Sequence, residues 1–265
     1  MESVTTAALE PYEVLAVRYG VWHTTMRQIY HSFDVYHEPD APVQIDYFFW
    51  VVRNSRRTVV VDTGFRPEVA LRRGRELVTP VPEALARAGV DPAAVSHVVL
   101  THFHYDHIGN LDLFGQAQVV AGATEYEFWT SEIAEQPIFA TAVEADEVDV
   151  VRKAMVDERL TLVPREDPAI PGLSFREVTG HTPGQIVVEV ETAGRPVILA
   201  SDASHMYEEF EKERPFHIAS SLPEMYAGLK WLRTRSRDAE VVPGHDPAVM
   251  RRFPVDADGI IARIA

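Results

Sequence analysis

The segment SHVVLTHFHYDHIGN, residues 96–110, puts the strongest limit on what this chain can fold into. SHVVL begins as a buried strand, and His102, His104, Asp106 and His107 crowd the six positions from 102 to 107. Ionisable groups at the end of a buried strand need partners, because an unpaired buried charge or polar group costs several kcal/mol. His102 and His104 stand two apart, so extended backbone sends both side chains to one face. Asp106 and His107 come after the strand has ended, where the chain can turn them toward a second point nearby. Gly109 and Asn110 permit a tight departure. Such a segment suits two metal ions, which hydrolytic sites typically space ~3.5–4 Å apart.

Three further strand ends carry a lone ligand-type residue: His181 in VTGHTPGQ, Asp202 in LASDASH and His245 in VVPGHDP. Gly180 and Gly244 precede two of them and would let the backbone approach a crowded centre. The set comes to five histidines and two aspartates. Zinc takes imidazole and carboxylate and is commonly four- or five-coordinate, so one bridging carboxylate and three other ligands per ion use all seven residues. The chain has no cysteine, which excludes disulfides and thiolate ligands. The other histidines (His23, His31, His37, His97, His205 and His217) read by default as ordinary core or surface residues.

Around this cluster the chain alternates strands and helices. YEVLAVRYG (12–20) is a first strand, residues 21–44 are irregular, and the runs 45–54 and 58–65 form a hairpin. A short helix covers 81–89, an acidic one runs over roughly 143–157, and strands follow at 173–181, 185–192 and 196–204. Ser221 and Glu224 suggest a capping box for the last clear helix, whose Leu222, Met225, Leu229 and Leu232 recur at helical spacing. AEVVPGHD (239–246) is a final strand. Two series of strands, each followed by helices, predict two sheets face to face with helices outside, a four-layer αββα arrangement. With 265 residues and no repeat or linker, one domain over 1–265 is expected. A net charge of −15 disfavours nucleic acid and anionic membranes as partners. The N-terminus lacks signal-peptide features, which points to the cytoplasm.

The pattern His-x-His-x-Asp-His followed by separate His, Asp and His resembles the metallo-β-lactamase superfamily of αββα hydrolases. The likeness runs from roughly Ile45 to Phe253. Within that superfamily, SDASHMYEEFEKERPF with the capped helix and PGHD is most similar to the N-acyl homoserine lactonases. The resemblance implies two Zn2+ ions per chain, a first on His102, His104 and His181 and a second on Asp106, His107 and His245, with Asp202 bridging. Other divalent metals fit the same ligand types. It also implies that Asp62, in VVVDTG, orients a ligand imidazole. Those lactonases carry a tyrosine after the Asp-Ala-Ser that follows the bridging strand; here His205 stands there, with Tyr207 two residues on.

The implied activity is opening of a lactone ring by metal-bound hydroxide, with a small, partly apolar lactone as partner and N-acyl homoserine lactones (quorum quenching) foremost. His205 or Tyr207 would assist at the carbonyl oxygen, and Asp106 would carry a proton to the leaving alkoxide. Aromatic residues of 22–36, YFFW (47–50) and Phe210 to Phe216 are candidates for an apolar wall. The competing reading keeps the fold and changes the substrate to another lactone, a thioester, a β-lactam or an organophosphate. A diiron flavoprotein is disfavoured by His104, where such proteins carry Glu. A nuclease is disfavoured by the charge, and a non-enzymatic module by the complete ligand set. Oligomeric state is not legible.

Overall fold

The strands of the computed structural model, which describes residues 10–166 and 168–265, fall into two sheets. In chain order they are β1 (Glu13–Thr25), β2 (Pro42–Arg53), β3 (Thr58–Val61), β4 (Glu76–Leu77), β5 (His97–Leu100), β6 (Gln118–Gly122) and β7 (Leu160–Val163). They continue with β8 (Leu173–Glu177), β9 (Ile186–Val190), β10 (Val197–Ser201), β11 (Glu240–Pro243) and β12 (Ile261–Arg263). The larger sheet has the order β12-β1-β2-β3-β5-β6-β7, with β4 added to β1, and the smaller β11-β10-β9-β8.

Period-two burial explains why these segments form central strands. Val59, Val61, Val99 and Val120 share one core cluster with Ile198, Leu199 and Val242 of the smaller sheet. Their neighbours Val60, Val98, Leu100 and Val119 share another with Val69, Leu85 and Val151, from the helices Pro67–Arg73, Val81–Arg87 and Ala145–Val156. Both faces are covered, so these strands read as continuous apolar runs, and each buried valine contributes on the order of 1.5–3 kcal/mol. Leu229 and Leu232 of the helix Leu222–Arg235 join the inter-sheet cluster. The result is the four-layer αββα arrangement. No helix among the described residues is long and apolar enough to cross a membrane.

Several expectations need correction. Residues 21–25 are not irregular: β1 continues to Thr25, which pairs with Pro42 of β2. The strand expected over 58–65 stops at Val61 because Asp62 takes a left-handed backbone, φ 61°. That expected over 196–204 stops at Ser201, φ 46°, and that over 173–181 stops at Glu177. The Ser221–Glu224 capping box does not form, since the Ser221 side chain makes no cap bond. The Ser221 N–H that Glu224 would have capped already donates to the Gly180 carbonyl at 3.0 Å. The short strands β4 and β12, which add to β1, were not anticipated.

Candidate metal centre

Parallel pairing brings distant residues to one rim. β3 and β5 run parallel, so Asp62 and the 102–107 cluster leave the larger sheet at the same end. β10 and β11 are parallel in the smaller sheet, so Asp202 and His245 do the same there. His104 sits at the N-cap of the short helix Tyr105–Ile108, whose first turn carries Asp106 and His107. Gly244 is needed for contact: a Cβ there would lie 2.8 Å from Asp202 Oδ1, within the carboxylate's own space.

All seven sequence candidates are buried and fall into two adjoining groups, His102, His104, His181 and Asp202, and Asp106, His107 and His245. Asp202 faces both. Its Oδ2 lies 3.7 Å from His102 Nε2 and 3.3 Å from His181 Nε2, while its Oδ1 lies 3.4 Å from His107 Nε2 and 3.0 Å from His245 Nε2. Asp106 Oδ2 is 3.7 Å from His107 Nε2 and 3.8 Å from His245 Nε2. His104 presents Nδ1, 3.0 Å from His181 Nε2. Four ligands at the ~2.0–2.1 Å bond lengths of zinc stand ~3.3 Å from one another around a tetrahedron, close to these spacings.

The second nitrogens of the rings are already engaged. His107 Nδ1 donates to Asp62 Oδ2 at 2.7 Å, His245 Nδ1 to the Asp46 carbonyl at 2.8 Å and His181 Nδ1 to the Ile218 carbonyl at 3.1 Å. Each fixes a ring with Nε2 toward the centre, the role partners behind metal ligands play. His102 Nε2, His107 Nε2 and Asp202 Oδ1 are buried with no hydrogen-bond partner among the described residues. Buried lone pairs left without a hydrogen-bond partner beside both oxygens of Asp202 fit cations of the size and ligand preference of zinc.

For His102, His104 and His181 electrostatics agree with the ligand chemistry. Burial, with neighbouring imidazoles adding to it, pushes His102 and His181 well below the ordinary histidine range and His104 to about 4. Neutral imidazole is the ligating form. Burial also opposes charge on His107, but Asp62, Asp202 and Asp106 outweigh it and raise that group. Asp202 is held well below the carboxylate range because His245, His205, His107 and His102 overcome its desolvation.

The centre opens into a hollow of about 210 Å3 whose walls include Asp106, His205, Phe216, Trp22, Tyr47 and Arg75. His205 lies flat on Phe216, with ring centroids 3.5 Å apart. Its backbone N–H donates to Glu209 Oε2 at 3.1 Å, and its Nε2 is 3.0 Å from Asp202 Oδ2. Tyr207 is not part of this hollow. It packs against Phe210 with Arg252 3.6 Å over its ring, so of the two candidate carbonyl donors only His205 faces the centre. Of the YFFW stretch, Tyr47 reaches the hollow while Phe48, Phe49 and Trp50 fill the core.

Residues 46–245 match the family model of the metallo-beta-lactamase superfamily. The chain belongs to that superfamily. As a member it is similar to an N-acyl homoserine lactonase of Bacillus sp, 28% identical over 134 residues, which cover 50% of this chain and 48% of the relative. An N-acyl homoserine lactonase of Agrobacterium fabrum is 28% identical over 190 residues, 63% of this chain and 64% of the relative. The chain thus spans about half the length of the Bacillus relatives it matches. A solved N-acyl homoserine lactone hydrolase, with the product N-hexanoyl-L-homoserine at its catalytic metal centre, superposes with a TM-score of 0.75 over 93% of this chain and 98% of that one. At 17% identity that likeness speaks for the metallo-beta-lactamase fold.

Sequence reading passed over Glu125. Its buried carboxylate accepts from Phe103 N–H at 2.9 Å, the Trp129 indole at 2.6 Å, Thr182 Oγ1 at 2.8 Å and Gly184 N–H at 3.0 Å. It thereby ties the loop of His102 and His104 to the loop of His181. The one available signal was an acid four residues before Trp129 in the apolar helix Ala123–Trp129. Thr101, linked to both Asp62 and Ser201, was also missed.

Proposed function

We propose that this protein is a dinuclear metal-dependent hydrolase that opens a lactone ring, with N-acyl homoserine lactones the class its relatives' names favour. The observation that carries the proposal is Asp202, whose two oxygens face two separate imidazole sets at 3.0–3.7 Å. His102, His104 and His181 would hold one ion, Asp106, His107 and His245 the other, and Asp202 both. When bound, the ions supply Lewis acidity and a water acidic enough to react near neutral pH. β12, near the C-terminus, pairs with β1 near the start of the described chain, which supports reading these residues as one domain.

The chain's own groups supply the rest. Asp106 lines the hollow and is positioned to take the proton of the adding water and return it to the departing ring oxygen. His205 donates from Nε2 to the carbonyl oxygen, its ring fixed by Phe216 and by Glu209, whose Oε2 is 3.4 Å from Nδ1. An adjoining hollow of about 220 Å3 shares His104, His181 and Ile218 with the first and is walled by Phe128, Trp129 and Phe139. Its aromatic lining suits an acyl chain and keeps water from it.

The test is acid release from N-hexanoyl-homoserine lactone, a butyryl thioester and a β-lactam, with zinc-loaded and chelator-stripped protein. Metal-dependent ring opening that favours the lactone is expected. A higher kcat/KM for the thioester or β-lactam overturns the lactone assignment, and full turnover by stripped protein overturns the metal mechanism.

A further inference from the structure

Arg75 follows the left-handed Gly74, φ 62°, and lines the first hollow but not the adjoining aromatic one. Its guanidinium is fixed on three sides. It lies 4.1 Å over the ring of Trp22, its Nε donates to Tyr105 Oη at 3.1 Å, and its Nη1 donates to the Arg73 carbonyl at 2.9 Å. Among the described residues its Nη2 makes no hydrogen bond, and no carboxylate lies within ion-pair distance of the group. The neighbouring Arg73, also in the wall, pairs with Glu144 at 2.8 Å, a carboxylate it shares with Arg72, whereas Arg75 has none. Arg214, which stacks over Tyr36, is tied to Glu208 at 2.9 Å and also to Glu38.

Arg75 is half-buried, and withdrawing a guanidinium even partly from water without a counterion, while holding it in one rotamer, costs free energy. A planar fork held this way matches a carboxylate. Arg75 is also coupled to the reaction centre by contact. Tyr105, which it holds, precedes Asp106; Tyr105 Oη is 3.3 Å from Tyr47 Oη, and Tyr47 packs at 5.1 Å on His245. His217, another titratable residue of the wall, is pushed by burial to about 4 and is neutral at pH 7. With a net charge of −15, the chain as a whole repels an anionic molecule, so attraction for one has to be local.

We propose that the substrate carries a carboxylate in addition to its scissile carbonyl, and that Arg75 receives it. The reacting bond lies at Asp202; an apolar acyl chain takes the hollow of Phe128 and Phe139, whereas an acyl chain that ends in a carboxylate runs along the first hollow to Arg75. The proposal takes its reaction from the lactone reading above, but the anion stands on the wall of the hollow alone.

The test compares ring opening of N-succinyl- and N-glutaryl-homoserine lactone with that of their methyl esters in zinc-loaded protein, followed by mass. A charge-assisted contact of this kind predicts a preference of about tenfold or more in kcat/KM for one of the acids over its ester. In R75Q the acid and ester rates should converge to within about threefold, and R75K, which keeps the charge but not the fork, should fall between. Equal rates for acid and ester in the native protein overturn the proposal, as does an R75Q variant that lowers both by one factor. If no lactone opens, the lactone reading fails and the anion is judged by calorimetric binding of ring-opened N-succinyl-homoserine against its monomethyl ester. Tighter binding of the diacid that is lost in R75Q upholds Arg75 as the anion site; equal binding rejects it. Should R75Q not fold, the native protein against R75K decides the same comparison.

Discussion

Asp62 holds His107 by a 2.7 Å hydrogen bond from Nδ1, and does so from a strand end with a left-handed backbone, φ 61°. A non-glycine residue in that conformation is strained by about 1–3 kcal/mol, and here the strain turns the carboxylate under the ring rather than along β3. Thr101 N–H and Oγ1 hold the same carboxylate at 2.8 Å each, so its direction is fixed before any ion arrives. Asp62→Ala should therefore weaken metal retention by roughly 10–100-fold, read by competition with a chromophoric chelator. Unaltered affinity would reduce Asp62 to a turn former.

Glu125 predicts a different loss. Its four donors are buried, and three of them, Phe103, Thr182 and Gly184, come from the two ligand loops, so Glu125→Gln sets an amide NH2 against at least one N–H. Stability should fall by about 2 kcal/mol, seen as a lower urea midpoint at unchanged m value. A midpoint equal to that of the native chain would mean the loops are held without it.

Gly184 tests how closely the His181 loop packs on the helix Ala123–Trp129. A Cβ at that position would stand 1.9 Å from the Glu125 backbone nitrogen, and backbone cannot yield as a side chain end can. Gly184→Ala should cost more than about 3 kcal/mol or abolish soluble expression. A melting temperature within a few degrees of the native value would contradict the packing.

Glu147 gives a pH dependence. It is buried, neither carboxyl oxygen has a hydrogen-bond partner among the described residues, and burial, with Glu144 adding to it, pushes the group from 4.5 to about 8. The folded state thus binds a proton that the unfolded chain releases near 4.5. The corresponding stability is complete below that pH and drains away as pH rises toward 8. Glu147→Gln keeps the shape without the charge, so it should match the native protein at pH 4.5 and exceed it by roughly 2–4 kcal/mol at pH 8. Parallel stability curves for the two would refute a neutral Glu147.

His205 separates assistance at the carbonyl from support of the fold. His205→Ala should lower ring opening by about 10²-fold with metal content intact, and His205→Tyr should restore most of it through the phenol. Full activity in the alanine variant would leave the carbonyl to the ions alone.

Much of the site was readable before any coordinates because ligand chemistry is local. His102, His104, Asp106 and His107 share one short segment, and His181, Asp202 and His245 each stand just past an apolar run that had to be a strand. Strand ends were read less well. Nothing in VVVDTGF marks Asp62 as left-handed, since Asp tolerates that conformation and extended backbone alike. Glu125 and Glu147 escaped because an acid in a helix ordinarily faces water, and only the packed fold reveals the donors around one and the lack of hydrogen-bond partners, among the described residues, at the other. Arg75 lay outside the motif altogether, and its significance is the lack of an ion-pair partner among the described residues, which no single chain position discloses.

The candidate ligands do not all belong to one layer. His102, His104, Asp106 and His107 hang from the larger sheet, whereas His181, Asp202 and His245 hang from the smaller. Cations seated between them would act as rivets through the margin of the sandwich, so the supply of metal in the surroundings would set how firmly the two leaves stay shut as well as how fast the chain turns over.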